Sequence, residues 1–288
     1  MSLVESAMAK AKARELADGS TRAPQGSRAA YGRTPGPTSP QRDAKDRIAP
    51  HARVADVEAC QASRVLLDES SDENAAAVAA YRMLRTRILH RVRSKNWSMI
   101  GVTSAGPGDG KSLTALNLSL SLAREGNSEV VLLDLDMRKP TICRYLGVIP
   151  PAQIQGFFEQ QVDLSELFFS IGVENLIIAS GTDSTAHASD LLASAKFDEL
   201  IEYIKGRTTN PIVLIDLPPL LITDDALVIA PKIDAMLLVA SEGSTDRAVF
   251  KKAVEILADF PIAGVVLNRA VDTGENYGYG YGYGTGDN

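Results

Sequence analysis

Residues 98–126, SMIGVTSAGPGDGKSLTALNLSLSLAREG, constrain this chain more than any other stretch: an apolar run, a glycine-rich turn and an apolar helical run follow one another. Within it, Ala105, Gly106, Pro107, Gly108, Asp109, Gly110, Lys111 and Ser112 fit a phosphate-binding loop, with Ala105 at the first glycine position. Glycines let consecutive backbone N–H groups face an anion, and the following helix N-terminus adds positive potential. Lys111 is placed to hold β- and γ-phosphates, and the Ser112 hydroxyl to ligate Mg²⁺, a cation that takes hard oxygen ligands beside phosphates. Residues 99–102 read as a strand, and Gly126 as a helix stop.

The rest of the chain alternates in the same way. Residues 129–140, EVVLLDLDMRKP, form an apolar strand ending in Asp134, Asp136 and Arg138. Side chains two apart share a strand face, so both carboxylates are expected at the phosphate mouth if this strand neighbours the phosphate-loop strand. Arg138 is expected to hold the acidic loop or phosphate charge. Residues 211–219, PIVLIDLPP, place Asp216 at the end of a buried strand, the usual position of a carboxylate that holds a Mg²⁺-bound water. Further strands are expected at 175–180, 235–241 and 263–270, helices at about 189–205 and 246–259, and core with short helices at 156–169. This is an α/β fold with a mostly parallel sheet covered on both faces, a phosphate-loop NTPase of the deviant Walker type.

Ahead of the phosphate loop, Ser70 and Glu73 read as a capping box for a helix to about Arg93. Ala77, Tyr81, Leu84 and Ile88 form its apolar stripe, and Arg82, Arg85, Arg87, Arg91 and Arg93 a basic face. Residues 17–50 lack Leu and Val and read as a disordered linker, and Leu3, Val4, Ala7, Met8 and Ala11 as a short docking helix. The expected division is therefore 1–64 helix and linker, 65–270 folded domain and 271–288 tail.

The formal net charge of −6 argues against general nucleic-acid binding, which needs a basic face. The two cysteines, Cys60 and Cys143, lie far apart in no ligand pattern, and His51, His90 and His187 are equally scattered. No run is long and apolar enough for a membrane helix, and no secretory leader is evident, which suits a cytoplasmic protein. The tail, VDTGENYGYGYGYGTGDN, holds Tyr277, Tyr279, Tyr281 and Tyr283, four of the chain's eight tyrosines. It leaves from the carboxyl end of the last strand, where such sheets bind nucleotides, so these tyrosines are candidate phosphoacceptors.

SAGPGDGKS, VVLLDLDMRKP, IVLIDLPP and the terminal tyrosines together resemble the bacterial protein-tyrosine kinases that control exopolysaccharide export. The resemblance also covers AYRMLRTRI, ASDLLASAKFDELI and GVVLNRA, and the opening MSLVESAMAKA is similar to exosortase-associated polysaccharide autokinases. It implies ATP and Mg²⁺ as cofactors, with Gly106, Gly108, Asp109, Gly110, Lys111, Ser112, Leu113 and Asn268 at the nucleotide. Lys111, Asp134 and Asp136 are implied as catalytic, Asp134 being the base or orienter for the tyrosine hydroxyl. Ser112, Asp136 and Asp216 are implied at the metal.

The implied partners are a chain-length-determinant inner-membrane protein as activator, further copies of the chain, and a phosphotyrosine phosphatase, with the kinase recruited to the inner membrane. Ala79 stands where the family's subunit-contact helix carries Glu, although Arg82 and Arg85 match. Leu217 and Leu113 each replace a frequent Thr. Two other functions compete: a partitioning-type switch ATPase, whose relatives carry Lys at the position of Gly106, and a nucleotide-binding adaptor without turnover.

Overall fold

The computed structural model describes residues 47–70 and 72–270. The expected N-terminal helix, most of the linker and the tyrosine tail lie outside the described residues. The first elements are strand β1 (His51–Ala52), helix α1 (Val57–Ala62) and the long helix α2 (Ala75–Lys95). Strand β2 (Met99–Ser104) leads through the phosphate loop into α3 (Lys111–Ala123), followed by β3 (Val130–Asp134), α4 (Ile142–Leu146), α5 (Ile154–Phe158) and α6 (Leu164–Leu167). Then come β4 (Phe169–Ser170), β5 (Leu176–Ala179), α7 (Ala188–Ala193), α8 (Lys196–Arg207), β6 (Ile212–Asp216), α9 (Asp225–Ile229), β7 (Ala235–Ser241), α10 (Arg247–Ile256) and β8 (Ile262–Asn268).

Among the described residues, eight strands form one sheet in the order β1-β4-β5-β3-β6-β2-β7-β8. Every pair is parallel except β4–β5. Strand alternation divides the core in two. Val131, Leu133, Val213 and Ile215 face a layer that includes Phe157, Phe197, Leu200 and Phe250, whereas Val130, Leu132, Ile212 and Leu214 face Ile88, Leu116, Leu118 and Leu120. Both faces of the central strands are covered, which is why β3 and β6 read as continuous apolar runs. No helix among the described residues is long and apolar enough to cross a membrane.

Several expectations are corrected. The boundary at 64/65 falls inside the folded body: β1 pairs with β4, the buried Cys60 lies on α1, and Ile48 joins the core. An N-terminal segment poor in Leu and Val is held by strand pairing and by single apolar anchors, signals too short for a periodicity to show. The capping box does not form. A 3-10 turn at Asp72–Asn74 precedes α2, its N-cap is Asn74, and the Ser70 hydroxyl donates to Asp68 instead. Ala77 is exposed and Val78 takes its place on the buried face. The single helix expected at 189–205 is two, because Ser194 turns extended and its hydroxyl donates to the carbonyl of Leu191.

Candidate active site

The site is built where three parallel strands end together. Asp134 and Asp216 are the last residues of β3 and β6, in register with each other, and Val102 near the end of β2 is in register with Asp216. The strand carrying Asp134 is therefore not a neighbour of the phosphate-loop strand, since β6 lies between them. The condition for both carboxylates to share the mouth fails as stated, and they part company. Asp136, in the loop beyond β3, reaches the Lys111 ammonium at 2.7 Å. Asp134 stays in the sheet, where its Oδ2 accepts from the Thr141 and Ile142 amides, both at 3.1 Å, and from the Ser180 hydroxyl at 2.9 Å.

The phosphate loop is held in shape by side chains from three directions. Asp109 accepts from the Gly106 amide at 3.2 Å and, through its other oxygen, from the Thr245 hydroxyl at 2.7 Å. Asn268, at the end of β8, donates to the Asp109 carbonyl at 2.9 Å. Gly108 and Gly110 have φ of +83° and +91°, and a Cβ on Gly110 would lie 2.0 Å from Asn268 Nδ2. Only glycine fits there. Gly106 differs, because a Cβ at that position would meet nothing within 4 Å.

Lys111 opens α3 and is nearly buried, as is Ser112. Its ammonium lies 3.2 Å from Asp216 Oδ1 and donates to Ser112 Oγ at 3.0 Å. Burial alone would lower the lysine pKa, but the charges of Asp216 and Asp136 outweigh it and hold the ammonium firmly protonated. Asp134 is pushed up to about 7, first by burial and then by the facing charge of Asp216, against the Ile142 amide and Lys111. Burial also raises Asp216, and Lys111 offsets part of that.

Two carboxylate oxygens here, Asp134 Oδ1 and Asp216 Oδ2, are buried with no hydrogen-bond partner. Orphaned buried acceptors are costly, so their presence beside a cationic lysine and a serine hydroxyl marks a place for a cation or a proton. Among the described residues no three His, Cys, Asp or Glu side chains are grouped as a metal cage. That donor set suits Mg²⁺, which takes one or two carboxylates and completes its shell with phosphate and water. Ser112, Asp136 and Asp216 are the residues that fit it.

Two further residues named from the sequence make contacts of their own. Leu113 turns its side chain into the apolar cluster under α3, leaving only its backbone at the loop. Arg138 holds the acidic loop: it makes a two-point contact with the buried Asp225 (Nε to Oδ2 2.8 Å, Nη2 to Oδ1 3.0 Å) and donates to the Ala186 carbonyl at 2.9 Å. Thr245, Ser180 and Asp225 escape sequence reasoning altogether. Each is a common residue in a loop or at an element's end, and only Asp225, in ITDDALVI, carries a signal, one that reads first as a helix cap. Cys60 and Cys143 are free and buried, which pushes their thiols up to about 11 and about 12. Both are therefore poor nucleophiles.

A glycine loop between strand and helix, a lysine and serine at the helix start, and carboxylates on two neighbouring strand ends define a phosphate-loop NTPase. A family model described as "ParA: NUBPL iron-transfer P-loop NTPase" matches residues 95–278. The tyrosine-protein kinase CpsD of Streptococcus pneumoniae serotype 4 is 31% identical over 204 residues, covering 69% of this chain and 86% of that protein. In fold, the kinase domain of Escherichia coli tyrosine kinase ETK superposes with a TM-score of 0.64 at 23% identity, over 75% of this chain and 85% of its own. The septum site-determining protein MinD of Pyrococcus horikoshii, complexed with Mg-ADP, has a TM-score of 0.50 at 22% identity, over 59% and 69%. Within the phosphate-loop NTPases, the chain belongs to the bacterial tyrosine-protein kinases.

Proposed function

We propose that this kinase transfers the γ-phosphoryl group of MgATP to its own tail tyrosines, Tyr277, Tyr279, Tyr281 and Tyr283, and that their phosphorylation state regulates the polymerisation and export of an exopolysaccharide. The observation that carries the reading is the asymmetric treatment of Asp134. Three donors fix Oδ2, while Oδ1 is buried and unpartnered in a carboxyl that feels the charges of Asp216 and Lys111. A phenol has an ordinary pKa near 10, so its attack benefits from a positioned base of this kind.

Each residue then has a task. The glycine loop and the N-terminus of α3 bind the phosphates, and Lys111 leaves Asp136 and Asp216 to meet the β- and γ-oxygens. Ser112, Asp136 and Asp216 hold Mg²⁺, which when bound neutralises charge on those oxygens. The phenolic oxygen attacks the γ-phosphorus, the new O–P bond forms as the bond to the bridging oxygen breaks, ADP departs, and the phenolic proton passes to Asp134 Oδ1.

The proposed setting is the cytoplasmic face of the inner membrane, reached through a chain-length-determinant membrane protein that activates the kinase, with a phosphotyrosine phosphatase reversing the reaction. Assembly of several copies belongs to the same reading, but the two arginines of the subunit-contact pattern are already engaged. Arg82 pairs with Glu69, and Arg85 donates to the Ser121 carbonyl. A contact through α2 must release or share them.

The test follows γ-phosphate from MgATP on the purified chain, with and without the activator's cytoplasmic segment, beside Lys111→Met and a variant with all four tail tyrosines changed to Phe. Label on the tail that vanishes in both variants is expected. Phosphate release without protein label, with the activator present, would instead favour a switch ATPase.

A further inference from the structure

We propose that Asp225 is a positioning residue of the transfer site: acting through Arg138, it fixes the separation of Asp136 from Asp216, the two carboxylates that fit Mg²⁺. The inference rests on the assignment of Ser112, Asp136 and Asp216 to the metal. Asp225 opens α9 and is fully buried. A buried carboxylate is costly unless it is paired, and both oxygens of this one accept from Arg138, Oδ2 from Nε at 2.8 Å and Oδ1 from Nη2 at 3.0 Å. Such a two-point contact fixes direction as well as distance.

Arg138 carries that constraint to Asp136. The Lys139 amide donates to the Asp136 carbonyl at 2.9 Å, closing a tight turn in which Arg138 is the third residue. The same amide lies 3.1 Å from Asp136 Oδ1, which leaves Oδ2 to meet Lys111 at 2.7 Å. Anchoring the third residue holds the turn, and the turn holds the carboxylate. On the other side, the loop between Asp216 and Asp225 is pinned to the end of β2, where the Leu220 amide donates to the Ser104 carbonyl at 2.9 Å and the Thr103 hydroxyl to the Pro218 carbonyl at 2.8 Å. Asp136 and Arg138 thus belong to one loop, Asp216 and Asp225 to the segment facing it. Lys111 bridges the two carboxylates, but it leaves them for the phosphates in the proposed reaction. The Arg138–Asp225 pair then remains as the side-chain link between the two segments.

The guanidinium is a member of this frame and not a phosphate ligand. Besides its two bonds to Asp225, Nη1 donates to the Ala186 carbonyl at 2.9 Å and Nη2 lies 3.4 Å from the Ser189 hydroxyl, so four of its five N–H groups have protein partners. An amide in place of the Asp225 carboxylate would keep one of the two bonds and set an N–H against an N–H at the other.

The test uses the full chain with Asp225→Asn, which keeps the size of the side chain, and Arg138→Lys, which keeps the charge without the planar fork, singly and together. Two affinities are read: that of Mn²⁺, an oxygen-seeking stand-in for Mg²⁺, for the ADP complex by electron paramagnetic resonance, and that of a fluorescent ADP analogue in EDTA. Each single variant is expected to weaken Mn²⁺ binding about tenfold with metal-free ADP binding within about twofold of wild type, and the double variant to lie within about twofold of the weaker single. Wild-type Mn²⁺ affinity in Asp225→Asn overturns the inference. A double variant weakened about a hundredfold also overturns it, because the two residues would then act separately. So does metal-free ADP binding that falls in step with Mn²⁺ binding, because the phosphate loop would then have moved as well. The Arg138 side chain is 31% exposed, so Arg138→Lys reads the same contact if Asp225→Asn does not fold, and wild-type Mn²⁺ affinity there is equally fatal. Wild-type Mn²⁺ affinity in Asp136→Asn, a separate variant, overturns the metal assignment underneath.

Discussion

Two charged regions of the described residues, the carboxyl ends of β3 and β6 and the outward face of α2, obey different physics. At the strand ends, Asp134 and Asp216 are fully buried and Lys111 nearly so, and Lys111 pairs with Asp136 and Asp216. On α2, Arg93 meets Glu125 at 3.3 Å with its side chain 63% exposed, and Arg82 meets Glu69 in similar surroundings. Exposed pairs of this kind are worth about 0–1 kcal/mol, whereas removing one partner of a buried network leaves an uncompensated charge and costs roughly 3–5 kcal/mol. Burial, more than the number of charges, decides where substitution is felt.

The contrast breaks most visibly at Lys111. Lys111→Met is expected to lower phosphoryl transfer by about 10²–10³-fold or more and, without Mg²⁺, to lower unfolding free energy by roughly 3–5 kcal/mol, read by radiolabel transfer and urea denaturation. Gly110→Ala comes next. Its Cβ must displace Asn268 at a φ that L-residues avoid, so a strain of about 1–3 kcal/mol and a fall of about tenfold in nucleotide affinity are expected in a fluorescent-nucleotide titration.

Asp134→Asn sharpens the comparison through pH. Folding raises the Asp134 pKa to about 7, so the folded state favours the neutral acid. Its contribution to stability is greatest below about pH 4, declines as pH rises towards 7, and is constant above that. Without Mg²⁺ or nucleotide, the Asn variant should match the wild type near pH 4 and melt a few degrees higher at pH 8. Equal melting at both values would deny the buried charge its cost. Arg93→Ala, the surface counterpart, is expected to change stability by less than about 0.5 kcal/mol at any pH. A larger loss there would collapse the distinction.

The same division governs what the sequence discloses. The phosphate loop with Lys111 and Ser112 was legible because phosphate binding demands particular residue types at fixed spacing on a strand, turn and helix, and Asp136 and Asp216 because each stands at the end of an apolar run. The central strands were legible because burial on both faces forces unbroken apolar runs. β1 and β4 were not, since each is two residues long and is defined by its partner. Ser180 and Thr245 were hidden for a related reason. Each reaches the site through a hydrogen bond to a residue 46 or 136 positions away, and nothing local encodes that distance. The separation of Asp134 from Asp136 was also out of reach, because period-two reasoning holds only while the strand continues, and β3 stops at Asp134.

Gly106 has a consequence of another kind. A side chain there would enter open space, and the backbone is not in a region reserved for glycine. The lysine that partitioning ATPases carry at this position is therefore admissible here without rebuilding the loop. Steric necessity does not keep the two lineages apart at this residue. The contacts that shape the loop, from Asp109, Thr245 and Asn268, need not move to admit it.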